Sequence, residues 1–207
     1  MRFYLSSYKL GNETERLKKL IPRGRIGYIP NALDFTGAYN ADPQRMKTHI
    51  EKDMDSLREL GVKVELLNLR DYFGKPDELR NKLHELGAIF ISGGNTFVLR
   101  QAMRLSGLDE LLKELQGKNG FLYAGYSAAG CVLAPDLKGY DIVDSIDTPY
   151  SELKEVIWEG LGFVDFAFMP HWDSDHPESK DVERAIEYCK QNNIPFRAIR
   201  DGEVIII

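Results

Sequence analysis

The 207-residue sequence predicts an α/β fold, in which helices cover both faces of a doubly wound, mostly parallel sheet. Two observations support this prediction: short apolar runs recur along the chain, and longer amphipathic stretches separate them. Because parallel strands need crossover connections, an alternation of strands and helices favours this architecture. The composition, 43% hydrophobic and 29% charged, is that of an ordinary globular protein.

The elements follow one another with few interruptions. The apolar runs predicted to form strands are residues 2–5, 25–29, 62–67, 88–91, 120–124, 163–169, 196–199 and 204–207. The stretches predicted to form helices are residues 13–20, 43–60, 75–86, 95–105, 108–115, 128–133 and 179–191. In the second helix, Met46, Ile50, Met54 and Leu57 recur at helical spacing and share one face.

The length favours one domain over residues 1–207, because two domains would each be small for their class. We find no internal repeat, low-complexity tract or linker composition in the sequence. The longest segment without a regular pattern, residues 138–155, is rich in Asp and Ser, and loops of this length are often functional.

Charge and apolar content restrict the partners. The net charge of −5 and the pI near 5.5 give no electrostatic reason to expect nucleic acid or an anionic membrane. No run has the length of a signal peptide or a membrane span, so we expect a cytoplasmic protein. Cys131 and Cys189 have neither disulfide nor zinc-motif spacing and are predicted to be buried thiols.

A nucleophile is predicted at Ser127. The run Gly125-Tyr126-Ser127-Ala128-Ala129 joins an apolar strand to a helix through small residues, the setting of a nucleophile elbow. The elbow exposes the Ser127 hydroxyl and directs the Ala128 amide towards negative charge that develops on a substrate oxygen. Ala129 replaces the usual second glycine, which keeps the small size but loses the freedom to adopt positive φ.

A second oxyanion donor is predicted at the end of the strand 88–91. There Gly93 and Gly94 allow a backbone amide to approach a ligand, and Asn95 or Thr96 can cap the next helix. A tight strand-to-helix turn without function explains the glycine pair equally well.

The general base is predicted to be His171. It follows the apolar run 163–169 at the carboxyl end of a strand, where doubly wound sheets collect catalytic groups. His176 is the second candidate. His49 and His84 lie in charged helical stretches and are expected at the surface.

Three aspartates can orient this base, and the residue pattern does not separate them. Asp141 and Asp144 follow the elbow helix and give the chain order Ser, Asp, His of α/β-hydrolase triads. Asp173 would form a compact pair with His171. Each, taken singly, is also an ordinary turn or cap residue.

Taken together, these motifs resemble peptidase family S51. The resemblance rests on residues 93–96, 125–128, Pro135 and 169–171, in that order. The family includes α-aspartyl dipeptidases and cyanophycinases, and its fold is similar to that of class I glutamine amidotransferases. The resemblance implies Ser127 as nucleophile, His171 as base, and Gly94 with Ala128 as oxyanion donors. It favours Asp141 as the acid, with Asp144 nearer the cyanophycinase position.

The resemblance also implies a small peptide substrate, no metal or organic cofactor, and cleavage after an N-terminal aspartate. Recognition of that aspartate requires a cation, for which Arg184 is a candidate, although a surface arginine is equally typical of such a helix. Alternatives are an amidase or esterase using the same residues, and a binding protein without turnover. A homodimer is compatible with the sequence.

Overall fold

A computed structural model describes residues 1–35, 42–117 and 120–207. Its centre is a six-stranded sheet. The strands are β1 (Arg2–Ser6), β2 (Arg25–Ile29), β3 (Lys63–Leu66), β4 (Ala88–Ile91), β5 (Leu122–Tyr126) and β8 (Val204–Ile206), and they lie in the order β3-β2-β4-β5-β1-β8. The β1–β8 pair is antiparallel and the other pairs are parallel, which confirms the predicted mostly parallel sheet.

Helices cover both faces of this sheet. They are α1 (Thr14–Leu20), α2 (Pro43–Glu59), α3 (Pro76–Leu86), α4 (Thr96–Ser106), α5 (Leu108–Leu115), α6 (Ala128–Cys131) and α7 (Ser179–Gln191). The first two pack on one core and the others on the opposite core. Successive residues of β4 alternate between the cores, as the period of two in a strand requires. Within the described ranges, no helix is long and apolar enough to cross a membrane.

The ends of the helices follow local sequence signals. Asp42 accepts hydrogen bonds from the amides of Gln44 and Arg45 at the start of α2. Asn95 accepts one from the Val98 amide at the start of α4, as one of the two predicted caps. Gly87 ends α3 in the left-handed conformation that favours glycine.

Two predicted strands form a separate sheet. β6 (Ala167–Met169) pairs in parallel with β7 (Phe196–Ala198), and neither belongs to the main sheet. The predicted strand 163–169 is shorter than expected because the residues before it bond to another segment. The amides of Leu161 and Phe163 donate to the carbonyls of Val132 and Leu133.

The topology gathers loops at one edge of the main sheet. Crossovers leave β2 and β4 in opposite directions, which opens a crevice between the carboxyl ends of these neighbouring strands. A 3₁₀ turn at Asn31–Leu33 follows β2, the glycine pair follows β4, and Ser127 follows β5. Cys131 and Cys189 are free and buried, as predicted.

Candidate active site

Ser127 lies in a strained turn between β5 and α6. Its backbone angles, φ 50° and ψ −111°, fall outside the regions that side-chain-bearing residues ordinarily occupy. The Ser127 amide donates to the Ser6 carbonyl of the neighbouring strand at 3.2 Å, which holds the turn against the sheet. This conformation is the one expected of a nucleophile elbow.

Small neighbours make this turn sterically feasible. A Cβ on Gly125 would lie 2.5 Å from the Ala129 methyl and from the Ile91 carbonyl oxygen. A Cβ on Gly93 would lie 2.5 Å from the Tyr126 ring. Ala129 itself lies in α6 and does not have positive φ. The position therefore does not require the positive φ that only glycine adopts freely, and alanine suits it.

Two backbone amides beside Ser127 can stabilise negative charge. Within the described part of the chain, the amides of Ala128 and Gly94 donate to no protein acceptor. Gly94 has φ 138°, and a Cβ there would overlap the Ala32 carbonyl, so only glycine suits this position. The Asn95 amide donates to the same Ala32 carbonyl at 2.8 Å and fixes the loop.

His171 is held by Asp201 and Ser7. His171 Nδ1 lies 2.7 Å from Asp201 Oδ1, so Nε2 is the nitrogen left to act on a substrate. Ser7 Oγ donates to Asp201 Oδ1 at 2.7 Å and accepts from the His171 amide at 2.8 Å. The imidazole is therefore fixed in position by two elements, the end of β1 and the turn after β7.

Burial controls the charge of His171, which is only 2% exposed. Burial, reinforced by the neighbouring His176, lowers the pKa of His171 to about 4, although Asp201 acts in the opposite direction. The two imidazole rings stack, with centroids 3.7 Å apart and planes inclined by 12°. At neutral pH His171 is uncharged and can accept a proton.

These groups meet in a pocket of about 260 Å³. Its described lining consists of Tyr8, Leu33, Phe35, His49, Gly93, Gly94, Tyr126, Ser127, His171, His176 and Glu178. A hydroxyl on a strained turn, an imidazole with a carboxylate behind it and the unbonded Gly94 amide in one pocket, with the Ala128 amide next in the chain to Ser127, can together perform acyl transfer.

Comparison with known proteins gives the family. The model of peptidase family S51 matches residues 9–207. The chain belongs to peptidase family S51. Peptidase E of Streptomyces coelicolor is 32% identical over 189 residues, which cover 88% of this chain and 68% of that protein. A probable alpha-aspartyl dipeptidase of Drosophila melanogaster is 30% identical over 180 residues, covering 84% and 65%.

A solved structure agrees on the fold. The structure of a putative peptidase E protein from Listeria monocytogenes superposes with a TM-score of 0.76 at 24% identity, covering 100% of this chain and 93% of that chain. The resemblance to family S51 is thus confirmed, and the chain is a serine-type peptidase, a hydrolase.

In this S51 peptidase, the expected bond between Asp141 and His171 is not found among the described residues. Asp141 is exposed, and its carboxylate accepts a hydrogen bond from the Gly139 amide of its own turn. Asp173 is also exposed and forms an ion pair with Arg200. The structure pairs His171 with Asp201 instead, which corrects the assignment favoured from sequence.

Asp144 has a different role from that expected. Its carboxylate accepts a hydrogen bond from the Thr96 amide at 2.9 Å, at the start of α4. Burial raises the pKa of Asp144 to about 6, although hydrogen bonds from Thr96 oppose the shift. Asp144 lines a small cavity with Ser127 and Glu178, and no bond joins it to His171 among the described residues.

Arg184 does not reach the pocket of the S51 peptidase. Its side chain is 68% exposed and forms an ion pair with Asp181 one turn earlier on α7. The described lining of the Ser127 pocket contains neither arginine nor lysine. The expectation that Arg184 recognises an aspartate side chain is therefore not supported by its position.

A buried polar cluster forms the wall behind Tyr126. Asp53 accepts hydrogen bonds from Lys9 at 2.6 Å and from the hydroxyls of Tyr28 and Tyr126 at 2.8 Å. His49 lies 3.1 Å from the Tyr126 hydroxyl and lines the pocket, so the surface position expected for it is wrong. Burial raises the pKa of Asp53, but bonds from His49, Lys9 and Tyr126 outweigh it and lower the value to about 2.

Sequence reasoning missed Asp201, although a signal was present. Asp201 follows the apolar run 196–199, as His171 follows the run 163–169. In the structure these runs form β7 and β6, with Met169 beside Ala198 in the parallel register. An acid after one strand and a histidine after its parallel neighbour reach the same edge.

Proposed function

We propose that this S51 peptidase is a serine dipeptidase that hydrolyses short peptides with an N-terminal aspartate. Ser127 is the nucleophile, His171 the general base and Asp201 the acid that orients it. The observation that supports this assignment best is the pairing of His171 Nδ1 with Asp201, in the pocket that also contains the strained Ser127. A carboxylate in this position selects the imidazole tautomer and stabilises the imidazolium that forms.

The reaction follows from these positions. His171 Nε2 accepts the Ser127 hydroxyl proton while Oγ bonds to the peptide carbonyl carbon, and the carbonyl electron pair moves onto its oxygen. The amides of Ala128 and Gly94 donate to that oxyanion. When the C–N bond breaks, His171 gives its proton to the departing amine. Water then attacks the acyl-enzyme with His171 again as base, releasing the acid and restoring Ser127.

Pocket size and relatives support the substrate class. A pocket of about 260 Å³ is below the usual range for drug-sized ligands, about 300–1,000 Å³, and therefore suits a small substrate. The preference for aspartate is supported by the similarity to the probable alpha-aspartyl dipeptidase of Drosophila melanogaster.

A dipeptide panel tests this proposal. Asp-Leu, Asn-Leu, Glu-Leu and Ala-Leu are incubated with the wild type, with Ser127→Ala and with a control, Ser56→Ala, on helix α2. We expect selective cleavage of Asp-Leu that Ser127→Ala abolishes and Ser56→Ala retains. Cleavage that persists in Ser127→Ala would exclude Ser127 as the nucleophile.

Labelling with a fluorophosphonate separates the alternatives. Reaction at Ser127 without cleavage of any peptide would indicate that the same residues act on a non-peptide amide or ester. That alternative is favoured by the lack of arginine and lysine in the described pocket lining. Failure of both labelling and cleavage would indicate a binding pocket without turnover.

A further inference from the structure

We infer that His171, His176 and Glu178 form a zinc-binding site, and that zinc bound there reversibly inhibits the peptidase. Each residue offers one ligand atom, and the three atoms lie within 4.8 Å of one another. Two imidazoles and one carboxylate are a donor set that zinc commonly takes in proteins, with a fourth position open. The inhibition rests on the proposed function, whereas the binding does not.

The hydrogen bonds around these residues leave suitable atoms for a metal. His171 Nδ1 is bonded to Asp201, which leaves Nε2 for the metal and supplies the carboxylate that typically supports a zinc-bound histidine. His176 Nδ1 lies 3.8 Å from Glu178 Oε2 and accepts a long, 3.3 Å hydrogen bond from the Glu178 amide. A metal can replace that weak contact.

The loop that carries the ligands is held in shape by Ser174. The Ser174 hydroxyl donates to the His171 carbonyl at 2.9 Å and accepts from the His176 amide at 3.3 Å. His171 therefore stays fixed, while His176 and Glu178, whose side chains are 22% and 42% exposed, have room to adjust. Tetrahedral zinc with bonds of about 2.1 Å requires ligand separations of about 3.4 Å. Because the two imidazole planes are inclined by only 12°, His176 must rotate out of the stack, in addition to shifts of ångström size, before both nitrogens point at the ion.

Inhibition follows from the identity of one ligand atom. The Nε2 lone pair of His171 that would bind zinc is the one that accepts the Ser127 proton in the proposed mechanism. All three ligands line the pocket that contains Ser127. Zinc would therefore remove the base and occupy the space where the substrate carbonyl must lie.

Calorimetric titration of the full chain with zinc alone tests the binding. We expect one zinc per chain, with affinity at least tenfold weaker in His176→Gln and in Glu178→Gln. His84→Gln, which removes an exposed histidine on helix α3, serves as the matched control and should bind like the wild type. Cobalt gives a second readout, since a tetrahedral cobalt absorption band should be present in the wild type and absent in His176→Gln.

Activity with zinc or with a chelator tests the inhibition. Zinc should suppress the wild type and a chelator should restore it, while His176→Gln should be at least tenfold less sensitive relative to its own zinc-free activity. A dissociation constant weaker than about 100 μM in the wild type, or equal binding by the variants, would overturn the site. Zinc binding in a chain without peptidase activity would contradict the proposed function and leave the site standing.

Discussion

Replacing Asp201 tests the catalytic assignment most directly, because Asp201→Asn preserves the shape and removes the charge. The bond between Asp201 Oδ1 and His171 Nδ1 is 2.7 Å long. Loss of a charge-assisted hydrogen bond costs about 1.5–3 kcal/mol, which corresponds to about 10- to 150-fold in rate. If the new amide also imposes the wrong imidazole tautomer, the loss approaches the roughly 10⁴-fold known for such a substitution in a serine protease triad.

Asp201 is 28% exposed, so water partly compensates for the lost charge, and we expect kcat/KM to fall by about 100-fold. The assay is hydrolysis of a dipeptide that the wild type cleaves, with thermal unfolding measured in parallel. Asp141→Asn is the control and should stay within about threefold of the wild type. The reasoning is refuted if Asp141→Asn loses activity while Asp201→Asn keeps it.

Three further substitutions test other parts of the site. Ser7→Ala removes the Oγ bonds to Asp201 and to the His171 amide, while Asp201 keeps its bond to His171 Nδ1, so kcat should fall by about tenfold with little change in KM; an unchanged kcat would exclude a positioning role. Gly125→Ala places a methyl 2.5 Å from the Ala129 methyl and should destabilise the fold by about 1–3 kcal/mol in urea unfolding. Asp53 has its pKa lowered from 3.8 to about 2 in the folded state, so its ionisation stabilises the fold by about 2 kcal/mol above pH 4 and loses that effect as the pH falls through about 2. Unfolding curves at pH 7 and pH 3 should therefore show a smaller pH dependence for Asp53→Asn than for the wild type, and parallel curves would contradict this.

The backbone geometry around Ser127 was predictable because its signals are local. Ser127, Ala128 and Gly94 lie in short strand–turn–helix segments, where small residues at fixed offsets reveal the backbone geometry. The same locality explains why Asn95 could be recognised as a cap from sequence.

The acid was not predictable in the same way because its partner lies 30 residues away. Asp201 comes beside His171 only because β6 and β7 pair in parallel, and no local pattern around Asp201 indicates which strand lies next to it. His49 was misplaced for a related reason. Its charged helix indicates exposure, but one face of that helix meets Lys9 and Tyr126, which are distant in sequence.

The residues of the candidate site come from two different sheets, the main sheet and the small β6–β7 sheet. The histidine and its carboxylate are both carried by this sheet, whereas the serine and the oxyanion amides belong to the edge of the main sheet. A slight displacement of one sheet relative to the other would leave the acid–base pair intact while changing the distance over which the proton passes. Ser7, at the end of β1, is bonded to both members of that pair and so connects the main sheet to the small sheet. Substitutions at the contact between the two sheets can therefore change the rate without touching a reacting atom.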